Sequence, residues 1–515
     1  MTGSGQSLDG QRGRRSIAMP AGEPSPATTD PAAVLGSEAA ALPATGLMPL
    51  GRGLLRELRL WFESLNPAWI GLGFVFVALT VYVLSNGERR NTYNHFVWQA
   101  EAFLDGRFLI TWPVDEGPVT NAHFNDIFRP PDRPRLALLP FAPLPAVLLL
   151  PFVLVFGVAT NAAMLAAVLG AINVGLAWRL TIRLTSNRWV ALLATAFYGF
   201  GTVAWYAAML GSTWFLAHVV ASTFLILAIT AALDGERASA RRATTTQDQG
   251  PTQGGLRALV GLPSAGDLRR GIDWRALIDG RQLLAGLLLG FAALAREEVL
   301  IAAPFFVFVG GGGTLARRAF SAGIGASLML GVLFAYNLAS SGAILNPVYE
   351  HLYHTEYVPR PELRHTEWNR IDPRYMPQNF RIMLTWPPEF RPECGLDLFN
   401  RDCALLRPDP LGMSVLLTSP AYLLAVPLVW RAWRRRIVLG ATLAVLGTAG
   451  LLMMHFSQGW VQFGYRFSNS FAPFALVLVT LALARLGIRP LTVGLVIASI
   501  AINAWGVWWG IQLGW

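Results

Sequence analysis

LLPFAPLPAVLLLPF, residues 138–152, is the stretch whose reading decides how this chain is threaded. It is apolar enough to enter a membrane, yet Pro140, Pro143, Pro145 and Pro151 each remove a backbone donor that lipid cannot replace. A second apolar run, 160–180, ends in RLTIRLTSNR (179–188), a short arginine-rich loop of the kind that marks a cytoplasmic face. If both runs crossed, that loop would face outward; if only the second crosses, it faces inward. Residues 138–156 are therefore read as a re-entrant or interfacial element on the external side.

Composition sets the class. Of the 515 residues 53% are hydrophobic and only 14% charged, against about 25% charged in soluble domains, so an ordinary soluble protein is excluded. The net charge of +10 comes from 41 arginines and no lysine, and these cluster in short loops between apolar runs. That distribution marks cytoplasmic loops and speaks against a nucleic-acid partner. The reading is an all-α polytopic membrane protein.

Residues 1–66 are poor in large apolar side chains and are expected to form a disordered cytoplasmic tail, with GRGLLRELRLWFESL (51–65) as an amphipathic segment at its end. A core over 67–340 opens with a span at 69–85 and the external loop 86–136. It continues with the element 138–156, a span at 160–180, a hairpin of two spans within 189–233 and a cytoplasmic loop 234–281. Two short apolar helices then flank Arg296-Glu297-Glu298, and a span at 320–339 follows. An external loop region, 341–410, leads to four C-terminal spans within 411–515. The sum is about eleven spans in the plasma membrane, with the N-terminus cytoplasmic and the C-terminus external.

Three outer-side groups of residues could carry chemistry. The loop 86–136 holds Asn94, His95, Glu101, Asp105, Asn125 and Asp126, among which a carboxylate near the lipid boundary could take a proton from an attacking hydroxyl. Asp126 has apolar flanks, whereas Asp115, Glu116 and Asp132 read as solvated loop charges. In the second group, Arg296, Glu297 and Glu298 sit between apolar helices, where charges are costly and seldom idle; a fork of arginine donors suits a phosphate, and an internal ion pair is the plain alternative. The third, HFSQGWVQFGYRFSNSFAPF (455–474), puts Tyr465 and Arg466 at the mouth of a span, and His218 lies within WFLAHVVASTF (214–224). Cys394 and Cys403, with eight residues between them in an external loop, read as a disulfide, with two free thiols as the alternative. His351, His354 and His365 make no recognisable metal pattern, and no nucleotide loop or hydrolase motif is present.

The polar segment ending in LDGRF (104–108), the proline-bearing PLPAVLLLPFVLVFG (143–157), GLLLGFAALAREEVLIAAP (286–304) and QFGYRFSNSFAPFALVL (462–478) together resemble the GT-C integral-membrane glycosyltransferases. That superfamily includes the protein O-mannosyltransferases and the lipid A aminoarabinose transferases. The resemblance covers about two thirds of the chain and lies in the order of the motifs. It implies a transferase that takes a sugar from a polyprenyl-phosphate carrier and passes it to a glycan, lipid or protein acceptor on the external face, with membrane lipid around it. The family usually places an acidic residue soon after the first span, whereas this chain reads NTYNHF (91–96) there. The base is then expected to be Asp126, or else Asp105, with Arg296 and Arg466 on the donor phosphate. Asn94, His95, Glu101, Asn125, Glu297, Glu298, Tyr465 and His218 are expected to line the substrate. No cofactor is demanded; magnesium or manganese is compatible with the chemistry, but no acid cluster calls for a metal. The rival readings are a lipid-linked glycan flippase or transporter, and a noncatalytic relative of the same fold.

Overall fold

In the computed structural model the described residues are 57, 60–87, 93–114, 126–245, 278–355, 367–459 and 461–514. Asp115, Glu116, Asn125, His365 and most of the segments 1–66 and 246–281 lie outside them. The chain divides into a unit 1–62, of which only residues 57 and 60–62 are described, and a unit 63–515 that carries everything below.

The larger unit is built almost entirely of helices. Its first part comprises α1 (Pro67–Ser85), α2 (His95–Leu104), α3 (Leu144–Phe156), α4 (Ala162–Leu184), α5 (Arg188–Phe200), α6 (Ala204–Leu210) and α7 (Thr213–Thr245). Next come α8 (Gly280–Ala293), a 3-10 turn at Glu297–Ala302, α9 (Pro304–Phe308), α10 (Leu315–Ser341), α11 (Val348–Thr355) and α12 (Met376–Thr385). The last part holds α13 (Val415–Thr418), α14 (Ala425–Ala432), α15 (Arg436–Met453), α16 (Ala472–Leu486) and α17 (Pro490–Leu513). Two-residue strands pair antiparallel as β1 (Ile110–Thr111) with β2 (Leu136–Ala137), and β3 (Glu389–Phe390) with β4 (Leu406–Arg407).

Among the described residues six helices (α1, α4, α7, α10, α15 and α17) are long and apolar enough to cross a membrane, and the bent pair α5 and α6 makes a seventh if it counts as one span. This is a multi-pass membrane protein. The eleven expected segments all contain helix, but the remaining four are short or broken. α8 has 14 residues, α9 only 5 and α16 15. The segment 411–430 is divided between α13, a 3-10 turn at Pro420–Leu424 and α14. Proline explains the last break, because Pro420 cannot donate into the helix of α13. At 13 residues α3 spans about 20 Å, short of a hydrocarbon core of about 30 Å, and it exposes Leu154, Val155 and Phe156 at its end.

Local sequence sets the ends of the spans. Asn66 caps α1 by accepting from Ala68 N at 2.9 Å, and Pro67 opens the helix where a missing N–H costs nothing. α1 keeps Trp69, Leu72, Phe76 and Leu84 on an open face, as a helix bordered by lipid should. α7 is the opposite case: 78% of its apolar window is inside the protein, so it forms the centre against which α4 and α8 pack. Between α8 and α10 the GLLLG sequence 286–290 permits close approach. A Cβ on Gly286 would lie 2.0 Å from the Ala322 carbonyl oxygen, so the two backbones touch where any side chain would hold them apart.

The segment 341–410 is packed onto the spans through α12, where Ile382 and Met383 join Ala449, Leu452, Tyr465 and Phe467 in one buried cluster. Backbone bonds from Asp372 N to Met454 O, 2.8 Å, and from Phe456 N to Arg370 O, 2.9 Å, clamp the loop ahead of α12 against the end of α15. The cysteines Cys394 and Cys403 are joined in a disulfide that closes the turn between β3 and β4.

Candidate active site

The charged residues singled out on three separate stretches converge around the start of α7. Asp126 lies in the loop before β2 in a left-handed conformation, φ 43°, which aspartate tolerates better than most residues. Its Oδ2 accepts from the Trp214 indole N–H at 2.7 Å. Trp214 is itself fixed from below: His95 of α2 packs its ring 5.9 Å from it and bonds through Nδ1 to Thr213 Oγ1 at 2.8 Å, while Tyr93 lies 5.1 Å away on another side. The hydroxyl of Thr213 donates in turn to the Tyr93 carbonyl.

Arg466 faces the same tryptophan. Its guanidinium sits 5.5 Å from the ring centroids of Trp214 and Phe215 and 5.3 Å from that of Phe467. The residue is 8% exposed, and its Nε has no hydrogen-bond partner among the described residues. Gly459, at φ 87°, makes room for it, because a Cβ there would come within 2.8 Å of Arg466 Nε. Burial, and then the charge of Arg296, hold this guanidinium down at about 10, with Asp126 pulling the other way; it remains a cation at neutral pH.

Arg296 shares the Phe467 ring from its other neighbourhood, 5.5 Å from the centroid. Its Nε donates to Glu298 Oε1 at 2.7 Å, and Ser470 Oγ donates to the same oxygen at 2.9 Å. The serine oxygen lies 3.3 Å from His218 Nδ1 in α7. With the serine proton committed to Glu298, Nδ1 is the donor to serine, and His218 Nε2 is left with no partner among the described residues. Glu298 thus serves as the anchor of Arg296, and Glu297 stands exposed at the tip beside it.

Other expected residues stand apart or act from behind. Asp105 ends α2 and pairs with Arg107 at 2.5 Å with over half of its side chain exposed. Asn94 precedes α2 and gives it no side-chain cap; Glu101 is half-buried on that helix. Tyr465 is fully buried, donating to Gln458 Oε1 at 3.1 Å. Among the described residues no three His, Cys, Asp or Glu side chains are grouped to hold a metal ion.

Four participants were not singled out from the sequence. Trp214 and Phe467 lie within the stretches 214–224 and 455–474, in which only His218, Tyr465 and Arg466 stand out by type. Tyr349, whose hydroxyl is pushed far above its usual range by burial and then by Asp126, is within electrostatic reach of Arg296, Arg370 and Arg466. Arg370 stacks 5.6 Å from the Tyr349 ring, and its Nε, which makes no hydrogen bond among the described residues, lies 3.7 Å from Glu350 Oε2 in an ion pair. The only sequence signal for Arg370 was its place in HTEWNRIDPRY, where the Asp372-Pro373 turn fixes the loop.

No family model matches the chain, and no curated protein matches it. Among solved structures it is similar to the crystal structure of ArnT from Cupriavidus metallidurans bound to undecaprenyl phosphate, with 16% identity and a TM-score of 0.42. The match covers 85% of this chain and 64% of that one, so the chain spans less than two thirds of its length.

Proposed function

We propose that the chain is a membrane glycosyltransferase that moves a sugar from a polyprenyl-phosphate donor to an acceptor hydroxyl on the external face. The observation that carries this reading is Arg466: a buried cation with an unpartnered Nε, ringed by three aromatic side chains and placed beside both Arg296 and Asp126. A buried guanidinium donor left without an acceptor is costly, and Asp126, whose Oδ2 is already bonded by Trp214, does not fill that place; the phosphate of the donor supplies the acceptor if it docks there.

The chemistry follows from that placement. Asp126 takes the proton of the acceptor hydroxyl as its oxygen attacks the anomeric carbon, with inversion. The bond between that carbon and the phosphate oxygen breaks, and the electron pair leaves with the phosphate, whose charge Arg466 and Arg296 offset. Glu298, Ser470 and His218 keep Arg296 in position, and Trp214 orients the Asp126 carboxylate. The proline-bearing 138–156 segment borders the path of the lipid tail.

The test is transfer of radiolabelled sugar from a panel of polyprenyl-phosphate monosaccharides by purified wild type, Asp126→Asn and Asp105→Asn. Turnover lost only in Asp126→Asn supports the assignment. Loss only in Asp105→Asn moves the base to the end of α2. A wild type that binds the lipid but never turns over overturns the transferase reading in favour of transport or a noncatalytic role.

A further inference from the structure

A second concave site lies at the other end of the same helices. A cavity of about 680 Å³ opens between α4, α7 and α8 and is rimmed by Arg179, Arg237, Arg241 and Arg281, with Leu284 and Leu288 among its apolar walls. Along α7, twenty residues separate Asp234 at this cavity from Trp214 at the candidate active site, about 30 Å at 1.5 Å per residue. That equals the thickness of a bilayer's hydrocarbon core, so the cavity falls at the opposite membrane boundary.

Even without Arg241, the described lining carries three arginines against one acid. Asp234 is the one carboxylate among the described lining residues, and it is held by Arg183 from α4 through bonds of 2.7 and 3.1 Å, while its backbone carbonyl accepts from Arg281 at 2.9 Å. Arg179, Arg237 and Arg281, one from each of three helices, therefore face one space in which the one acid among the described lining residues is already engaged by Arg183. Below them the wall is leucine, and Leu284 is 45% exposed although it belongs to a helix otherwise packed on both neighbours. A cationic rim over an apolar wall at the membrane boundary matches a phosphate headgroup with a hydrocarbon tail, and it matches neither a free sugar nor a neutral lipid.

We propose that this cavity binds one anionic phospholipid, its headgroup phosphate among Arg179, Arg237 and Arg281 and one acyl chain along Leu284 and Leu288. The site is independent of the sugar-transfer reading, and no residue is shared between the two.

The test uses the full chain in detergent, with native mass spectrometry and thermal unfolding, against phosphatidylglycerol, phosphatidylcholine of the same acyl chains, and inorganic phosphate. Wild type is expected to retain a single phosphatidylglycerol with at least a tenfold preference over phosphatidylcholine and to unfold at a higher temperature with it. The double variant Arg179→Gln/Arg281→Gln should lose that preference. So should Leu288→Trp, which crowds the apolar wall without changing the charge of the cavity and stays informative if the charge variant folds poorly. Equal retention of the two lipids, retention of neither, or a preference that survives in both variants overturns the proposal. An unfolding shift as large with inorganic phosphate alone overturns it in favour of a free-anion site.

Discussion

Asp126 and Arg466 are bridged by Trp214, which gives its N–H to the Asp126 carboxylate at 2.7 Å and its ring to the Arg466 guanidinium at 5.5 Å. One side chain thereby sets the positions of the proposed base and of the proposed phosphate ligand. The two contacts use different parts of the indole and can be separated by substitution.

Trp214→Phe keeps an aromatic face for Arg466 and removes the donor to Asp126. A hydrogen bond to a charged group contributes about 1.5 to 3 kcal/mol, so turnover is expected to fall roughly 10- to 100-fold, with donor-lipid affinity changed much less. Trp214→Ala should weaken both. Single-turnover transfer beside equilibrium lipid binding distinguishes the two effects, and equal losses in Trp214→Phe would contradict the division of labour.

Arg466→Gln removes the buried charge and its fork of donors together. Donor binding is expected to drop about 100-fold, in line with about 3 kcal/mol for a charge-assisted contact. Arg466→Lys should recover little, because an ammonium cannot stack on three rings as a planar guanidinium does. Binding isotherms with a polyprenyl phosphate measure both.

Glu298→Ala strips the partner from Arg296 and from Ser470 at once. Breaking a largely buried pair from one side costs about 3 kcal/mol or more, so the variant should melt at a lower temperature and lose activity. Restoring the acid as aspartate is expected to recover stability more than activity, since the shorter arm pulls Arg296 away from Phe467.

His455 gives a pH signature. Burial first, and then the nearby Arg370 charge, hold its imidazole down at about 4, against the ordinary value near 6.5. The folded state therefore resists the proton that the unfolded chain accepts. Its contribution to stability is complete above about pH 6.5 and is lost progressively as pH falls towards 4. Unfolding temperature is expected to decline across that window in wild type and to decline less in His455→Asn, followed by thermal melts in detergent between pH 4 and 8.

Gly286→Val tests the closest helix contact. A Cβ there would lie 2.0 Å from the Ala322 carbonyl oxygen, so α8 and α10 must separate. The variant should fail to accumulate as folded protein, whereas Gly331→Ala, which meets nothing within 4 Å, should accumulate normally.

The sequence made the membrane class and nearly every helix legible, because runs of apolar residues bounded by arginine leave little choice. Asp105-Gly106 within LDGRF marks the end of α2, where Gly106 takes the left-handed φ of 69° that a stop there requires. The sequence also brought forward Asp126, Arg296 and Arg466, since charges at membrane boundaries stand out by type alone. Trp214, Phe467 and Tyr349 were hidden for the opposite reason: an aromatic at an interface is ordinary by type, and only the fold shows that these three sit beside cations. Arg370 reaches the cluster through bonds to residues over eighty positions later, a pairing that no local pattern encodes. The lengths of the later spans were misjudged where proline or a 3-10 turn divides one apolar run into two short helices.

α8 packs against α7, with α7 running from Trp214 to the arginine-rimmed cavity and α8 leading from that cavity towards the turn that bears Arg296. A helix is stiff along its axis, so neither rod can be displaced at one end alone. Any piston-like slip of α7 that rearranges Arg237 carries Trp214 with it by the same distance, and a slip of α8 does likewise for Arg281 and the turn that bears Arg296. The proposed active site and the arginine-rimmed cavity are thus mechanically linked through this pair.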